Sequence, residues 1–412
     1  MTGDRILDRT LAARVLSAAD AAAEVGPGET VALSGIAGAG RPKAVSEALG
    51  RVQEWPAGVD VRHSRVSQYA ASGFFGGLDV AVVEVAAILP NGLLVPGSSV
   101  GNDQTWLDLA DRAILEVNRW HPRGLEGFHD IHHGAQVAPL RAPIQLTTPM
   151  QRIGDPYLLV DPDKVVAVVE TDLPDVGSPP GPIDEESRAM AELVVDFIRH
   201  EVRHDRLHRS LLPLHLGDGD IGDSVLTCLQ ETEFEHLTAY TASVRDGLLD
   251  LLDSGKMIGV SGTTFRLSAA GARRINSDVH HYKGRILLRT QEMANHPEVI
   301  RRLGLIAIDS MAEADLQGNV NAIGGSGIFA RNAHLNLFVS PSTAERGSTS
   351  RIVPFVSHVD HTGHDVHVVI TEQGVADLRG LSPAARARRI IERCAHPDFR
   401  ERLTESAQLP RG

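Results

Sequence analysis

The sequence predicts an α/β protein of two open domains, each with a mostly parallel sheet, on three observations. Short apolar runs rich in Val and Ile (LDVAVVEVAA from Leu78, RAILEV from Arg112, KVVAVV from Lys164) alternate with helical patterns, as strands buried on both faces do. The string DLPDVGSPPGPIDEES, from Asp172 to Ser187, carries prolines that cannot continue a helix or a central strand. The 412 residues suit two or three domains at roughly 100 to 200 residues each.

Taken in order, Leu11, Val15, Leu16, Ala22 and Ala23 predict one N-terminal helix ending near Gly26-Pro27-Gly28. A buried strand from Thr30 to Leu33, a glycine-rich turn from Ser34 to Gly40 and a helix from Pro42 to Leu49 follow. Domain one is placed at 1–175, the linker at about 172–187 and domain two at 187–412. A helix opens domain two, with an apolar stripe at Met190, Leu193, Val194, Phe197, Ile198 and Val202. Asp184, Glu185 and Glu186 sit at its start, where the helix dipole favours them. Further strands are expected at Arg285 to Leu288, Leu303 to Ile308, Leu335 to Ser340 and Asp365 to Thr371, and a last helix from Pro383 to about Cys394.

Composition narrows the partners. A formal charge of -13 repels a phosphate backbone or an anionic membrane surface, so neither nucleic acid nor membrane is expected. Two cysteines cannot make a disulfide framework or a four-thiolate metal site, and no signal peptide or apolar run of about 20 residues is visible, so a cytoplasmic setting is expected.

Several motifs carry chemistry. Gly217-Asp218-Gly219-Asp220-Ile221-Gly222 fits G-x-G-x-x-G between a strand and a helix, yet Asp218, Asp220 and Asp223 would oppose a pyrophosphate, which favours a plain tight turn. His358, His361, His364 and His367 have helical metal-ligand spacing, but Gly363 and the β-branched residues beyond argue for a turn entering a strand, where they diverge. With His129-Asp130-Ile131-His132-His133 they read as polar turn or pocket residues, and no metal is expected. Glu372, just past the strand run Val366 to Ile370, is a candidate base or nucleophile; a surface turn carboxylate is the bland alternative. Gly324-Gly325-Ser326-Gly327 suits N–H donation to an oxyanion, or is a flexible turn.

Six strings together resemble the acetyl-CoA hydrolase/transferase family, which includes succinyl-CoA:acetate CoA-transferases. They are SGIAGAGRPKAV (from Ser34), VVEVAAI (from Val82), GLEGFHDI (from Gly124), RTQEMANHPEVIRRLGLIAI (from Arg289), IGGSGIFARNAHL (from Ile323) and the long stretch from Ser350 to Phe399. They cover nearly the whole chain in the family's order. The resemblance implies domains of the CoA-transferase type, an acyl-CoA or related carboxyl substrate, coenzyme A as cosubstrate, no tightly bound cofactor, and a homodimer. It also implies a glutamate that attacks the thioester and captures CoA as a glutamyl-CoA thioester.

Residue by residue, Asn295 stands at the family's site asparagine, Gly325 at its oxyanion or CoA-contacting glycine and Glu372 at its second site glutamate. The nucleophile's place is Ala242, in Tyr240-Thr241-Ala242-Ser243, and a methyl group forms no anhydride. The CoA-contacting turn becomes Gly217, Asp218 and Gly219, with Gly324 and Asn321 as further binding candidates. A family lysine falls at Glu345, with Arg346 as its neighbour and replacement. Against the family the chain also reads as shortened between Trp55 and Leu78, before Ile323 and after Phe399. The expected function is acyl-thioester hydrolysis without a glutamyl-CoA intermediate. The alternatives are an ordinary CoA-transferase with a displaced nucleophile (Glu372 or Glu292) and a catalytically degenerate binding or regulatory homologue.

Overall fold

The computed structural model describes residues 5–36, 38–50, 65–132, 142–177, 181, 183–322 and 327–407. The chain does not divide at a single point. One compact unit comprises Met1–Pro179, Ala242–Asp246 and Gly259–Val299, and the other comprises Pro180–Thr241, Gly247–Ile258 and Ile300–Gly412. The first break falls inside the proline-rich stretch. Sequence patterning sees contiguous runs only, so the return of residues 242–246 and 259–299 to the first unit leaves no local signal.

The first unit is built on a six-stranded sheet with β1 (Val31–Leu33), β2 (Val80–Ile88), β3 (Leu93–Pro96), β4 (Arg112–Asn118), β5 (Leu158–Leu159) and β6 (Val165–Thr171), in the order β5-β3-β2-β4-β6 with β1 also on β2. β1, β2, β4 and β6 pair in parallel; β3 and β5 are antiparallel. All nine residues of β2 are buried, as its unbroken apolar reading requires. Glu84 is the exception in polarity, and it anchors the network described below.

The single N-terminal helix expected from Leu11 to Ala23 is two: Arg9–Ala12, capped by Asp8, and Ala18–Ala23, capped by Ser17. Between them the backbone pairs with β6, Leu16 N–H donating to the Val168 carbonyl at 2.9 Å, so Val15 and Leu16 follow sheet pairing instead of helix period. The expected helix from Pro42 begins at Ala44.

A second set of parallel strands in this unit joins Val260–Gly262, Ile286–Arg289 and His129–Asp130. Arg289 is fully buried within it. Its Nη1 pairs with Asp130, Nε donates to Ser261 Oγ at 2.7 Å, and Nη2 donates to the Pro149 and Gln151 carbonyls at 2.9 and 2.6 Å. A buried guanidinium is tolerated only when its fork is matched this completely.

The second unit carries β7 (Leu214–Leu216), β8 (Leu237–Tyr240), β9 (Ile306–Ser310), β10 (Leu335–Val339), β11 (Val368–Thr371) and β12 (Gly374–Asp377), ordered β12-β11-β10-β9-β7-β8. All neighbours are parallel except the β11–β12 hairpin. Its opening helix spans Glu185–Arg203 with the expected stripe buried at Met190, Val194, Phe197 and Ile198. Asp184 caps it by accepting from Ser187 N–H at 2.7 Å, which holds its carboxyl below the usual range. Near its C-terminus Glu201 accepts from Arg206 at 2.7 Å and from Arg379, just past β12, at 2.9 Å. Burial raises the Glu201 pKa, but the two arginines outweigh it and bring it to about 2. The helix expected from Pro383 spans Pro383–Cys394 and packs its Ile390 and Cys394 into the same core that holds Val369 and Ala376, but it is not the last: a further helix, capped by His396, spans Pro397–Ser406.

Replacing Arg289 by Met should leave Asp130 buried without its counter-charge and destabilise the protein by about 3–5 kcal/mol. The drop would be read from the urea midpoint of the full-length variant.

Candidate functional site

Glu372 follows the carboxyl end of β11, the edge where open α/β sheets place their ligands. Its carboxylate is clamped: Ser342 N–H donates at 2.7 Å, Ser342 O–H donates to the other oxygen, and the Gln373 amide donates at 2.9 Å. Burial works to raise its pKa, but these three donors prevail, so the group is held ionised below the ordinary carboxylate range. Glu186, in the first turn of the Glu185–Arg203 helix, is displaced the other way by burial and by the charge of Glu372. Glu372 lies in the turn of the β11–β12 hairpin, as the turn alternative has it, but its side chain is half-buried and held by these donors.

The Gly217–Gly222 string forms the turn from β7 into the helix Asp220–Gln230. A Cβ at Gly217 would lie 2.7 Å from the Asp309 side-chain oxygen Oδ1, and Gly219 has φ +125°, so close approach of Asp309 favours the first glycine and backbone conformation the second. Asp220 and Asp223 occupy the helix's first turn, where their charges already complement its dipole. Beneath the turn His215 is buried with its Nδ1 3.0 Å from Thr241 Oγ1, its Nε2 3.3 Å from Asp309 Oδ1 and its ring stacked on Phe329 at 3.9 Å. Thr241 thus points at His215. Sequence reading missed this group, whose members lie on different strands; a His at the centre of an apolar strand run was the available signal.

The remaining candidates are scattered. Asn321 donates to Glu313 Oε1 and Ser357 Oγ, both at 3.2 Å. Arg346 is exposed in a short turn, where both it and Glu345 adopt left-handed φ of 57° and 50°. Gly324 and Gly325 lie outside the described residues, as does His133. In the other unit, Asn295 is buried at the end of the short helix Gln291–Ala294. Ala242 is half-buried, its carbonyl accepting from Thr263 N–H at 2.9 Å.

The histidines divide as the strand reading requires. His361 is buried against Phe338, His358 is exposed 3.4 Å from Asp360, and the His367 ring nitrogen accepts from Asn336 N–H at 3.2 Å. His129 is fully buried with Nε2–H donating to the Gly97 carbonyl at 2.9 Å. Burial lowers its pKa to about 4.

A denser polar cluster, unforeseen from the sequence, lies in the first unit. Lys43 Nζ sits 2.5 Å from Glu84 and 2.9 Å from Asp175. Glu84 also accepts from Asn118 at 3.0 Å and from His121 Nε2 at 2.9 Å, and Asp175 accepts from Ser98 O–H and from Gly40 N–H at 3.2 Å. Glu84, His121 and Asp175 bring ligand-type atoms within 4.8 Å of one another. The Lys43 ammonium already stands between the two carboxyls, where a metal's charge would be needed. Burial lowers the Lys43 pKa, but Glu84 and Asp175 more than reverse this, and it stays charged. No described helix is long and apolar enough to cross a membrane.

Solved structures share this parallel α/β fold. The chain matches RipA from Yersinia pestis with a TM-score of 0.75 at 20% identity, over 97% of this chain and 98% of that one. It matches 4-hydroxybutyrate CoA-transferase from Porphyromonas gingivalis at 0.72 and 23%, over 96% and 97%. The chain belongs to the acetyl-CoA hydrolase/transferase family, a family of enzymes: the model for its N-terminal domain matches residues 56–170 and that for its C-terminal domain residues 271–407. It is 42% identical over 358 residues to the propanoyl-CoA:succinate CoA transferase of Escherichia coli, covering 84% of this chain and 72% of the relative. It is 40% identical to the succinyl-CoA:acetate CoA-transferase of Clostridium kluyveri and 42% identical to an acetyl-CoA hydrolase of Schizosaccharomyces pombe, covering 84% and 80% of this chain but only 66% of each relative. A model described as Bindin also matches residues 201–298, overlapping the C-terminal family model; the long relatives decide the assignment.

Because His129 is held neutral, the unfolded chain binds its proton first as pH falls. Stability from this group is complete above about pH 6.5 and is lost as pH drops towards 4. Denaturant midpoints measured across that window should fall by less in His129→Gln than in the parent chain.

Proposed function

We propose that the chain hydrolyses an acyl-CoA thioester without passing CoA through a glutamyl intermediate. The observation that carries this reading is Ala242, a methyl group where the family resemblance places the nucleophilic carboxylate. Glu372, the second glutamate of that resemblance, is present, ionised and immobilised by Ser342 and Gln373. In this mechanism water adds to the thioester carbonyl while Glu372 accepts its proton. The Gly325 N–H and the Asn295 amide take the developing oxyanion, roles carried over from the resemblance. Collapse of the tetrahedral adduct expels the CoA thiolate, which takes up a proton, and the free acid leaves. Relatives of both kinds, hydrolases and transferases, are compatible with this scaffold, and the missing carboxylate favours the hydrolase.

Thiol release from a panel of acyl-CoAs tests the reading, together with peptide mass spectrometry of the quenched protein. Hydrolysis with no CoA adduct is expected, and Glu372→Gln should lower kcat by about 10²- to 10⁴-fold. A glutamyl-CoA adduct at Glu372 or Glu292 would overturn it in favour of a displaced nucleophile, and absence of any turnover would favour the degenerate homologue. Conversely, Ala242→Glu should install the nucleophile: a CoA adduct at position 242 and CoA exchange dependent on an added carboxylate are the expected outcomes.

A further inference from the structure

The first unit contains a cavity of about 260 Å³. At ~30 Å³ per water it holds about nine waters, or a ligand of similar heavy-atom count. It is walled by Trp120, Leu125, Phe265, Leu267 and Ile275, has Asp175 and His121 on its polar side, and has Arg273 on its lining. We propose that this cavity binds a small apolar zwitterion, such as an amino acid with a hydrophobic side chain: its ammonium on Asp175 and His121, its carboxylate on Arg273.

The argument begins with what each polar group has left to offer. His121 gives its Nε2–H to Glu84, so in the neutral ring Nδ1 can only accept. The ring is held in place: a Cβ at Gly97 would lie 2.9 Å from Nε2, and Trp120 packs against it edge-on at 5.2 Å. Asp175 is also an acceptor. Glu84 and Asp175 set two carboxyl groups around the Lys43 ammonium, so the polar side is rich in acceptors. Acceptors beside the aromatic side chains of Trp120 and Phe265 favour an ammonium over a carboxylate.

Arg273 has the opposite character. It is exposed on the helix Ala269–Ser277 and makes no hydrogen bond or ion pair with any described residue. A guanidinium with all its donors uncommitted suits a carboxylate. Asn276, one turn on, donates to the Trp120 carbonyl at 3.1 Å and fixes that wall. The cavity is thus dipolar with apolar sides, and a molecule carrying a single charge satisfies one end only. The Lys43–Glu84–Asp175–His121 network, costly to bury compared with apolar residues, has in this a use beyond packing.

Binding is independent of thioester turnover, so this inference and the proposed function can fail separately. The full-length protein is titrated by calorimetry and thermal shift with leucine, methionine and phenylalanine, then with isoamylamine and 4-methylpentanoate, the single-charge analogues of leucine. At least one zwitterion should bind, with each analogue at least tenfold weaker than leucine where leucine is the ligand. Arg273→Ala should reduce the zwitterion's affinity to that of the amine, and Ala272→Phe, which fills the cavity from its helix wall, should abolish binding. Failure of all three zwitterions to bind the folded parent protein overturns the proposal. So does an analogue that binds as tightly as its zwitterion, or binding that persists in Ala272→Phe.

Discussion

The first unit is organised around one buried cation. Arg289 gathers the strand after β4, the loop at Pro149 and Gln151, and Ser261, three segments that sequence places 28 to 159 residues away from it. A guanidinium offers five donors in a rigid plane, and a site that satisfies it must hold every acceptor at a set position. This explains why GLEGFHDI and RTQEMAN, distant in sequence, resemble the family together: Asp130 lies in one and Arg289 begins the other. Asn295 sits at the end of the short helix that follows Arg289, so its position is tied to the same pairing.

The second unit uses a similar device at its rim. Glu201 joins the long opening helix to the sheet edge through Arg379, while Ser342 joins the loop after β10 to Glu372 after β11. In each case a carboxylate is immobilised by donors from an adjacent element. For Glu201 the product is stability. For Glu372 it is an ionised oxygen pair at the carboxyl end of a sheet strand, the edge that faces ligands in open α/β sheets.

Much of the fold was legible in the sequence because burial on both faces writes itself as continuous Val and Ile runs. β2, β4 and β6 appear where those runs lie, and the helix Pro383–Cys394 has the expected bounds. The failures have a common cause. Val15 and Leu16 have helical spacing but take a strand's hydrogen bonds, because tertiary pairing with Val168 overrides local pattern. The glycine-rich turn at 217 was legible as a turn between a strand and a helix. Glu372 was legible from its place just past a strand run, whereas Asn295 and Ala242 became visible only through resemblance. The Lys43–Glu84–His121–Asp175 group was not visible and the His215–Asp309–Thr241 group left only His215 in an apolar run as a signal, since each brings together single residues from separate strands and loops.

The discontinuity of the first unit bears on how the chain matures. When synthesis has reached Pro179, the strands β1 to β6 are complete, but Ile286–Arg289, the strand that pairs with His129–Asp130, is still about a hundred residues from being made. Asp130 must wait through most of that interval without Arg289. A ribosome adding about 5–20 residues per second leaves this half-finished surface uncovered for several seconds. The same long loop closures raise contact order and slow refolding of the intact chain. A protein assembled this way depends on the nascent N-terminal segment remaining soluble until its missing strands arrive.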